Sequence, residues 1–243
     1  MADSFTKTRI VVPGDVIAEN YNYTVKGAAI IRPDGKIVAT RVGLLRIKGR
    51  EINVIPLAGR YIAQKGDNVI GIIIDYSLVY WLLEINYVWK ARLDASEFLK
   101  KPFDPSKEPI TKYLKIGDVV YAKVAHTERG LPPILTCRDS GYGKLEGGRL
   151  ISINPAKIPR VIGVKGSMLE TIKRITKADI KVGANGIIWV RAEKPEIEEL
   201  VEYAIKRIER ESHVSGLTKK IQNDLIRGMH RIQRGDADGS EDK

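Results

Sequence analysis

The sequence predicts a multidomain α+β protein in which β domains come first and an α/β domain follows. Through residues 1–140, short apolar runs alternate with Gly, Pro and Asp turn signals, a spacing typical of small antiparallel domains. Beyond Arg149 the apolar residues recur at helical spacing instead. Lys and Arg number 41 against 30 Asp and Glu, for a formal net charge of +11. Such an excess favours polyanionic partners, chiefly nucleic acid or anionic membrane.

The composition narrows the class of protein further. Hydrophobic residues make up 43% of the chain, which is enough to bury cores. No apolar run reaches the roughly 18–20 residues that span a bilayer, and residues 69–83 are interrupted by Gly71, Asp75 and Ser77. The first residues lack a signal-peptide pattern, and Cys137 is the single cysteine. We therefore expect a cytoplasmic protein without disulfides.

Residues 1–61 are predicted to form an N-terminal β domain. Short apolar runs at residues 10–12, 28–31 and 52–55 are separated by turn signals, of which Pro33-Asp34-Gly35 is the strongest. A Gly-Asp pair leads into an apolar run at residues 14–15, and the same phrase returns at residues 66–67 and 117–118. We interpret this repeat as a recurring way to begin a strand, and it does not require duplicated domains.

Residues 62–143 are predicted to form a small β-barrel. Five strands are expected, at residues 68–74, 79–85, 89–93, 118–125 and 133–137. A long connection over residues 94–116 joins the third strand to the fourth. Five short strands with one long connection are typical of an OB-type barrel, and such barrels bind single-stranded nucleic acid through basic and aromatic side chains.

Several barrel residues are candidates for that binding. Tyr80 and Trp81 are neighbours in a predicted strand, so one of them faces the core, and alternation alone leaves open which one. The basic side of a groove would be supplied by a group of four cations, for which solvated surface charge is an equal alternative. They are Lys90, Arg92, Lys123 and Arg129.

Residues 144–213 are predicted to form a KH-type α/β domain of type I. The expected order is a strand at 149–153, a helix, a Gly-x-x-Gly turn, a second helix, strands at 179–182 and 187–192, and a helix at 195–210. The Asn-Gly pair within residues 183–186 indicates a hairpin between the two later strands. Residues 214–243 are expected to form a further amphipathic helix, at 218–234, and a polar tail.

The Gly-x-x-Gly turn, Gly163-Val164-Lys165-Gly166, is the motif on which the functional hypothesis depends. Glycine at both ends permits a tight turn and removes the Cβ atoms that would keep a phosphate away. The helix that follows presents free N–H groups and the positive end of its dipole, and Lys165 adds a charge. Lys173 and Arg174 continue the basic character along that helix. Together these features predict a clamp for about four nucleotides of an RNA backbone.

No catalytic, metal or cofactor site is predicted. The acidic residues of the barrel are scattered and show no pair with the spacing that two-metal hydrolysis needs. His126, His213 and His230 lack metal-ligand spacing, so they are interpreted as surface residues. Trp189 lies among apolar strand residues and is interpreted as a core or subunit-packing residue.

Four phrases of the sequence resemble a known family. Residues 66–71 and 80–86 resemble the S1-type OB barrel of exosome RNA-binding subunits. Residues 142–145 and 183–190 resemble the linker and hairpin of the ribosomal-RNA-processing protein 4 family. The resemblance extends from about Val11 to Arg210, and the intact Gly-x-x-Gly turn is similar to that of archaeal members.

The resemblance implies a non-catalytic cap subunit of the exosome. Three copies would sit on a hexameric ring of two kinds of RNase-PH-like subunit, which degrades RNA from its 3′ end by phosphorolysis. The N-terminal domains would anchor the cap, the S1 barrels would surround the pore, and the cap would add affinity for single-stranded RNA and a preference for adenine-rich tails.

Three other functions remain as alternatives from the residues alone. They are a free-standing ribonuclease, a translation-associated S1/KH RNA-binding protein, and a membrane-surface binder that would use the basic stretch at 219–234. The short apolar face of that stretch argues against membrane binding, so no membrane partner is expected.

Overall fold

A computed structural model describes residues 7–19, 22–27, 29–31, 33–57, 59–128, 130–211 and 216–238. The chain divides into two compact units, Met1–Gly59 and Arg60–Lys243. The second unit contains both a barrel and an α/β domain, so mixed strands and helices are present as the sequence predicts.

Among the described residues of the first unit, the regular secondary structure consists of strands. These are β1 (Lys7–Val11), β2 (Val16–Glu19), β3 (Thr24–Gly27), β4 (Ala29–Ile31), β5 (Lys36–Ala39), β6 (Gly43–Lys48) and β7 (Glu51–Pro56). One sheet has the order β1-β6-β7-β3 and the other the order β2-β5-β4. Alternate residues such as Leu45, Ile52 and Val54 point inward and form the core. The unit is therefore a small all-β domain.

The three Gly-Asp pairs adopt one local structure. In each, the aspartate Oδ2 accepts a hydrogen bond from the backbone N–H three residues earlier, at 3.0 Å for Asp15, 3.0 Å for Asp67 and 2.8 Å for Asp118. The preceding glycines have φ values of 95°, 94° and 92°, which residues with a Cβ atom rarely adopt. Each pair is followed at once by a strand, which confirms the interpretation of the repeat as a strand-starting turn.

The second unit opens with a closed barrel. Its strands are β8 (Asn68–Tyr76), β9 (Tyr80–Glu84), β10 (Ala91–Asp94), β11 (Val119–His126) and β12 (Ile134–Thr136). Strand β12 pairs with β10 in parallel and with β11 in antiparallel fashion, and this double pairing closes the barrel. All five strands coincide with predicted ones. The short helix α1 (Ala95–Leu99) and the strand β13 (Gly143–Leu145), which pairs with β11, were not predicted. Both are too short to show a periodic pattern.

The barrel core decides the question that alternation left open between Tyr80 and Trp81. Trp81 is fully buried, donates a hydrogen bond from Nε1 to the carbonyl of Leu114 at 3.2 Å, and meets the ring of Phe98 edge-on with centroids 5.5 Å apart. Tyr80 therefore lies on the outer face of β9.

The α/β domain follows the predicted type I KH order. It comprises β14 (Arg149–Ser152), α2 (Ile158–Ile162), α3 (Ser167–Thr176), β15 (Asp179–Val182), β16 (Ile187–Arg191) and α4 (Pro195–Arg210), followed by α5 (Leu217–Asp238). The antiparallel sheet has the order β14-β16-β15. Apolar residues of the sheet and all four helices share one core. Helix α5 packs on α3 and α4.

The hairpin loop between β15 and β16 joins this domain to the barrel. Asn185 is fully buried, and its Nδ2 donates to the carbonyls of Ile70 at 2.8 Å and Ile85 at 3.0 Å. Its Oδ1 accepts from the backbone N–H of Ile70 at 3.3 Å, and its own carbonyl accepts from Asn86 Nδ2 at 2.9 Å. The predicted hairpin is confirmed, and its asparagine bonds to Ile70 of β8 and to Ile85, the residue that follows β9.

Candidate nucleic-acid interface

The loop between α2 and α3 has an unusual backbone. Gly163 has φ 77° and ψ 175°, Lys165 has φ 52°, and Gly166 has φ 84°. Three of the four residues of the Gly-x-x-Gly turn thus have positive φ, a region that L-residues with a Cβ avoid. Helix α3 begins directly after the turn, at Ser167, so the loop and the helix N-terminus form one continuous feature.

The two glycines of the turn are required for different reasons. A Cβ atom at Gly163 would lie 2.7 Å from the backbone nitrogen of Met168, and its φ/ψ pair belongs to a region that is essentially restricted to glycine. A Cβ atom at Gly166 would meet nothing within 4 Å, so only the positive φ opposes a side chain there. Glycine is therefore required at position 163 by both packing and backbone conformation, and at position 166 by backbone conformation alone.

The two alanine variants should accordingly differ in stability. Gly163→Ala is expected to lower the free energy of unfolding by about 3 kcal/mol, because strain and steric overlap add. Gly166→Ala is expected to cost about 1 kcal/mol, the cost of a left-handed alanine. Urea unfolding of both variants measures the difference. Equal losses would show that the contact with Met168 does not constrain the loop.

The middle of the turn is open to solvent. Val164 is 81% exposed, which is unusual for a large aliphatic side chain, and Lys165 is also exposed. The N-cap residue of α3 is Gly166, which has no side chain to occupy the N–H groups of the first turn. A phosphate would find backbone donors, the positive helix end and the Lys165 ammonium at this one place.

Two further cations lie on α3. Arg174 is exposed and Lys173 is half-buried. Within the described ranges, neither they nor Lys165 form an ion pair with a carboxylate. The positive charge along α3 is therefore not neutralised by a neighbouring acid.

The candidate cations of the barrel are arranged differently. Lys90 pairs with Glu84, Arg92 Nε lies 2.6 Å from Asp94 Oδ1, and Lys123 Nζ lies 3.2 Å from Asp139 Oδ2. A phosphate at any of these sites would compete with a carboxylate, although exposed ion pairs of this kind are weak. Arg129 lies outside the described residues. The structure thus divides the predicted set into unpaired cations on the KH domain and paired cations on the barrel.

An aromatic platform accompanies the barrel cations. The Arg92 guanidinium lies over the outward-facing Tyr80 ring, 4.4 Å from its centroid. This pair presents a flat, positively charged surface on β9 and β10, which suits stacking with a nucleobase. The Asp94 carboxylate, 2.6 Å from Arg92 Nε, holds the guanidinium in place and lowers the net positive charge of this surface.

Other residue types offer no alternative chemistry among the described residues. Cys137 is buried, and burial raises the pKa of its thiol to about 12, which disfavours the nucleophilic thiolate. Within the described ranges no cluster of His, Cys, Asp and Glu could hold a metal ion. In the same ranges no helix has the length and apolarity to cross a membrane. Trp189 is buried and donates to the Gly147 carbonyl at 2.7 Å.

Two features of this region escaped the sequence reasoning. The carboxylate partners of Lys90 and Lys123 depend on the folded arrangement of strands and loops, whereas Asp94 is two residues from Arg92 on the same face of β10. The bonds of Asn185 to barrel strands depend on contacts 115 and 100 residues away in the chain. The Asn-Gly pair indicates the hairpin, but it does not indicate that Asn185 bonds to the barrel.

Family models match the chain in three consecutive segments. Residues 8–58 match the N-terminal domain of the exosome RNA-binding protein RRP4. Residues 61–148 match the S1 domain of the exosome complex component RRP40, and residues 148–196 match the KH domain.

Curated relatives are similar over nearly the whole chain. The exosome complex component Rrp4 of Ignisphaera aggregans is 41% identical, over 95% of this chain and 93% of its own. The proteins of the same name from Methanothermus fervidus and Pyrococcus furiosus are 40% and 38% identical. These matches cover 93% and 92% of this chain, and 99% and 85% of the relatives.

One solved structure is similar in both fold and sequence. It carries the provisional description of an exosome complex RNA-binding protein and superposes with a TM-score of 0.66 at 37% identity. The match covers 72% of this chain and 99% of the solved one.

Proposed function

The chain belongs to the Rrp4 family of exosome complex components, and from that membership we propose that it is a non-catalytic, RNA-binding cap subunit of a 3′-to-5′ RNA-degrading exosome. The cap raises the RNA affinity and degradation efficiency of the complex and shapes its preference towards adenine-rich RNA. RNA degradation is catalysed by the ring, which is a hexamer of two kinds of RNase-PH-like subunit. Three copies of this chain assemble on that ring.

The open Gly-x-x-Gly turn is the observation that carries RNA binding. Its exposed Val164 and Lys165 stand at an uncapped helix N-terminus, beside the unpaired cations Lys173 and Arg174. In this proposal Gly163 and Gly166 let the backbone approach a phosphate, and the α3 cations extend the contact. Lys90, Arg92, Lys123 and Arg129 provide a second, weaker surface on the barrel.

The proposed division of labour follows four segments. Residues 1–61 dock on the ring, 62–143 form the S1 barrel at the pore, 144–213 form the KH domain, and 214–243 supply the terminal helix and tail. Cys137, a buried free thiol, is compatible with a reducing cytoplasm, which we propose as the location.

Exposed apolar residues support the docking role of the first segment. Ile10 is 65% exposed and Ile30 is 51% exposed, although strand residues of this type normally contribute to a core. Further exposed apolar residues of the segment are Val12, Val16, Ile31, Val42 and Leu57. In this proposal they form an apolar patch of the kind that marks contacts between proteins.

Ile10→Asp should therefore weaken association with the ring without unfolding the chain. A charge placed in an apolar contact loses about 2–4 kcal/mol of binding free energy, roughly 30-fold or more in affinity. Co-purification with the ring subunits measures the loss. Leu78→Asp, which changes an exposed barrel residue, is the matched control and should assemble normally. Equal behaviour of the two variants would remove Ile10 from the docking surface.

Salt dependence and assembly mass test the proposal as a whole. Affinity for single-stranded RNA should fall steeply with salt, by a logarithmic slope of about 0.7 for each phosphate contacted. Co-expression with the ring subunits should yield a particle whose mass equals the hexamer plus three copies. Salt-independent RNA binding, co-purification with ribosomes instead of the ring, or RNA degradation by the isolated chain would each overturn the proposal.

A further inference from the structure

The outer face of helix α5 carries a stripe of cations. The helix advances about 100° per residue, so the cationic residues fall within an arc of about 120° on its solvent side. They are Lys219, Lys220, Arg227, Arg231 and Arg234, with His230 among them. All six are exposed. None of them forms an ion pair within the described part of the chain. We call this set the α5 stripe.

Acidic residues are sparse in the part of α5 that carries the stripe, and the last turn of the helix adds Asp236 and Asp238 beyond it. Asp224 is the only acid in residues 217–234, and it turns away from the stripe to pair with Arg207 of α4. The neighbouring helix shows what an ordinary solvated face looks like in this protein. On α4 the exposed residues Glu196, Glu199 and Arg210 mix both signs. The single sign of the α5 stripe is therefore not a general property of this surface.

The inner face of α5 is fully used by packing. Leu217, Ile221 and Leu225 are buried in the shared core of the KH domain. Gly228 lets the helix sit close to α4, because a Cβ atom there would lie 2.5 Å from Leu200 Cδ1. A helix that inserts into a bilayer needs its apolar face free, and among the described residues of α5 only Ile226 is a large apolar side chain exposed to solvent. A polyanion that contacts only the outer face remains the fitting class of partner.

We propose that the α5 stripe binds the phosphate backbone of single-stranded RNA and extends the site at the Gly-x-x-Gly turn. This inference rests on the proposed RNA-binding function. From Lys219 to Arg234 the stripe runs about 22 Å at 1.5 Å per residue, long enough for several phosphates. Helix α3 begins at the turn and packs against α5, so turn and stripe belong to the same helical layer. The contacts are to phosphates, so the stripe adds affinity without sequence preference.

A charge-neutral variant tests the α5 stripe directly. Glutamine at Lys219, Lys220, Arg227, Arg231 and Arg234 preserves helix propensity and leaves the packed face untouched. The full-length variant should bind a labelled unstructured RNA at least tenfold more weakly at low salt. If three to five phosphate contacts are lost, the logarithmic salt slope should shrink by about 2 to 3.5. Exchanging each Lys for Arg and each Arg for Lys should retain the wild-type affinity, since phosphate contacts need charge.

A control with the same charge loss separates contact from net charge. Glutamine at five cations of the first unit, Arg9, Lys36, Arg46, Lys48 and Arg50, removes equal charge from the segment assigned to docking. Equal losses of RNA affinity in the two glutamine variants would overturn the inference. The inference would also be overturned if the stripe variant bound RNA with wild-type affinity while a variant of the Gly-x-x-Gly turn bound poorly. That result would leave the proposed function unaffected. Absence of RNA binding by the unaltered chain would instead refute the proposed function. A stripe variant defective only in ring association would assign the stripe to a protein partner and overturn the RNA assignment.

Discussion

Replacing Val164 and Lys165 together by aspartate is expected to lower the affinity for single-stranded RNA about a hundredfold at low salt. The change removes an exposed apolar contact and an unpaired cation, and it places two carboxylates where a phosphate would lie. Repulsion of this kind, with the lost contacts, costs about 2–3 kcal/mol of binding free energy. The fold should survive, because both side chains are exposed and aspartate tolerates the positive φ of position 165.

The matched control changes another exposed aliphatic–lysine pair. Lys115 and Ile116 are both exposed, in the turn before β11, and their replacement by aspartate alters the net charge by the same amount. Fluorescence anisotropy with a labelled RNA compares the two double variants. We expect the control to retain most of the affinity. A control as defective as the loop variant would mean that general charge, and not the Gly-x-x-Gly turn, determines binding.

Replacing Asn185 by leucine is expected to destabilise residues 60–243 by about 3–5 kcal/mol. Leucine is similar in size but leaves the N–H and carbonyl of Ile70 and the carbonyl of Ile85 without the partner that Asn185 supplies. Each buried polar group left unsatisfied costs about 1–3 kcal/mol. The loss should appear as a lower midpoint of urea unfolding, or as separate transitions of barrel and KH domain.

The control for Asn185 is the same substitution at an exposed site. Asn223 lies on the solvent face of α5, where leucine should change stability by less than about 0.5 kcal/mol. If the two leucine variants unfolded at the same urea concentration, the bonds of Asn185 to the barrel would be energetically unimportant. RNA affinity measured on the folded Asn185→Leu chain would then report whether the junction also positions the Gly-x-x-Gly turn.

The elements of the fold were largely predictable because their signals are local. The five barrel strands, the type I KH order and the terminal helix follow from turn residues and from periods of two or 3.6 residues. The short strand β13 and helix α1 were missed, since three to five residues cannot display a period. The Gly-Asp turn was recognisable because glycine and aspartate supply the positive φ and the acceptor within the same few residues.

The candidate site was predictable only in part. The turn and its cations stand next to one another in the chain, so their common location could be predicted. The difference between paired barrel cations and unpaired KH cations could not be predicted in full. Glu84 and Asp139 reach Lys90 and Lys123 through strand and loop paths, and only the Arg92–Asp94 pair is local, two residues apart in β10. A sequence shows which residues carry charge, but it does not show which of those charges are paired with an opposite charge in the folded protein.

The sequence by itself determined the order of the domains, the Gly-x-x-Gly turn and the amphipathic character of α5. Tertiary structure alone decided that Trp81 packs inside while Tyr80 faces outward, that Asn185 bonds to the barrel, and that Asp224 leaves the α5 stripe to pair with Arg207. The physical reason is the same in each case. Conformational preferences act between near neighbours in the chain, whereas burial and charge pairing depend on groups that meet only once the chain has folded.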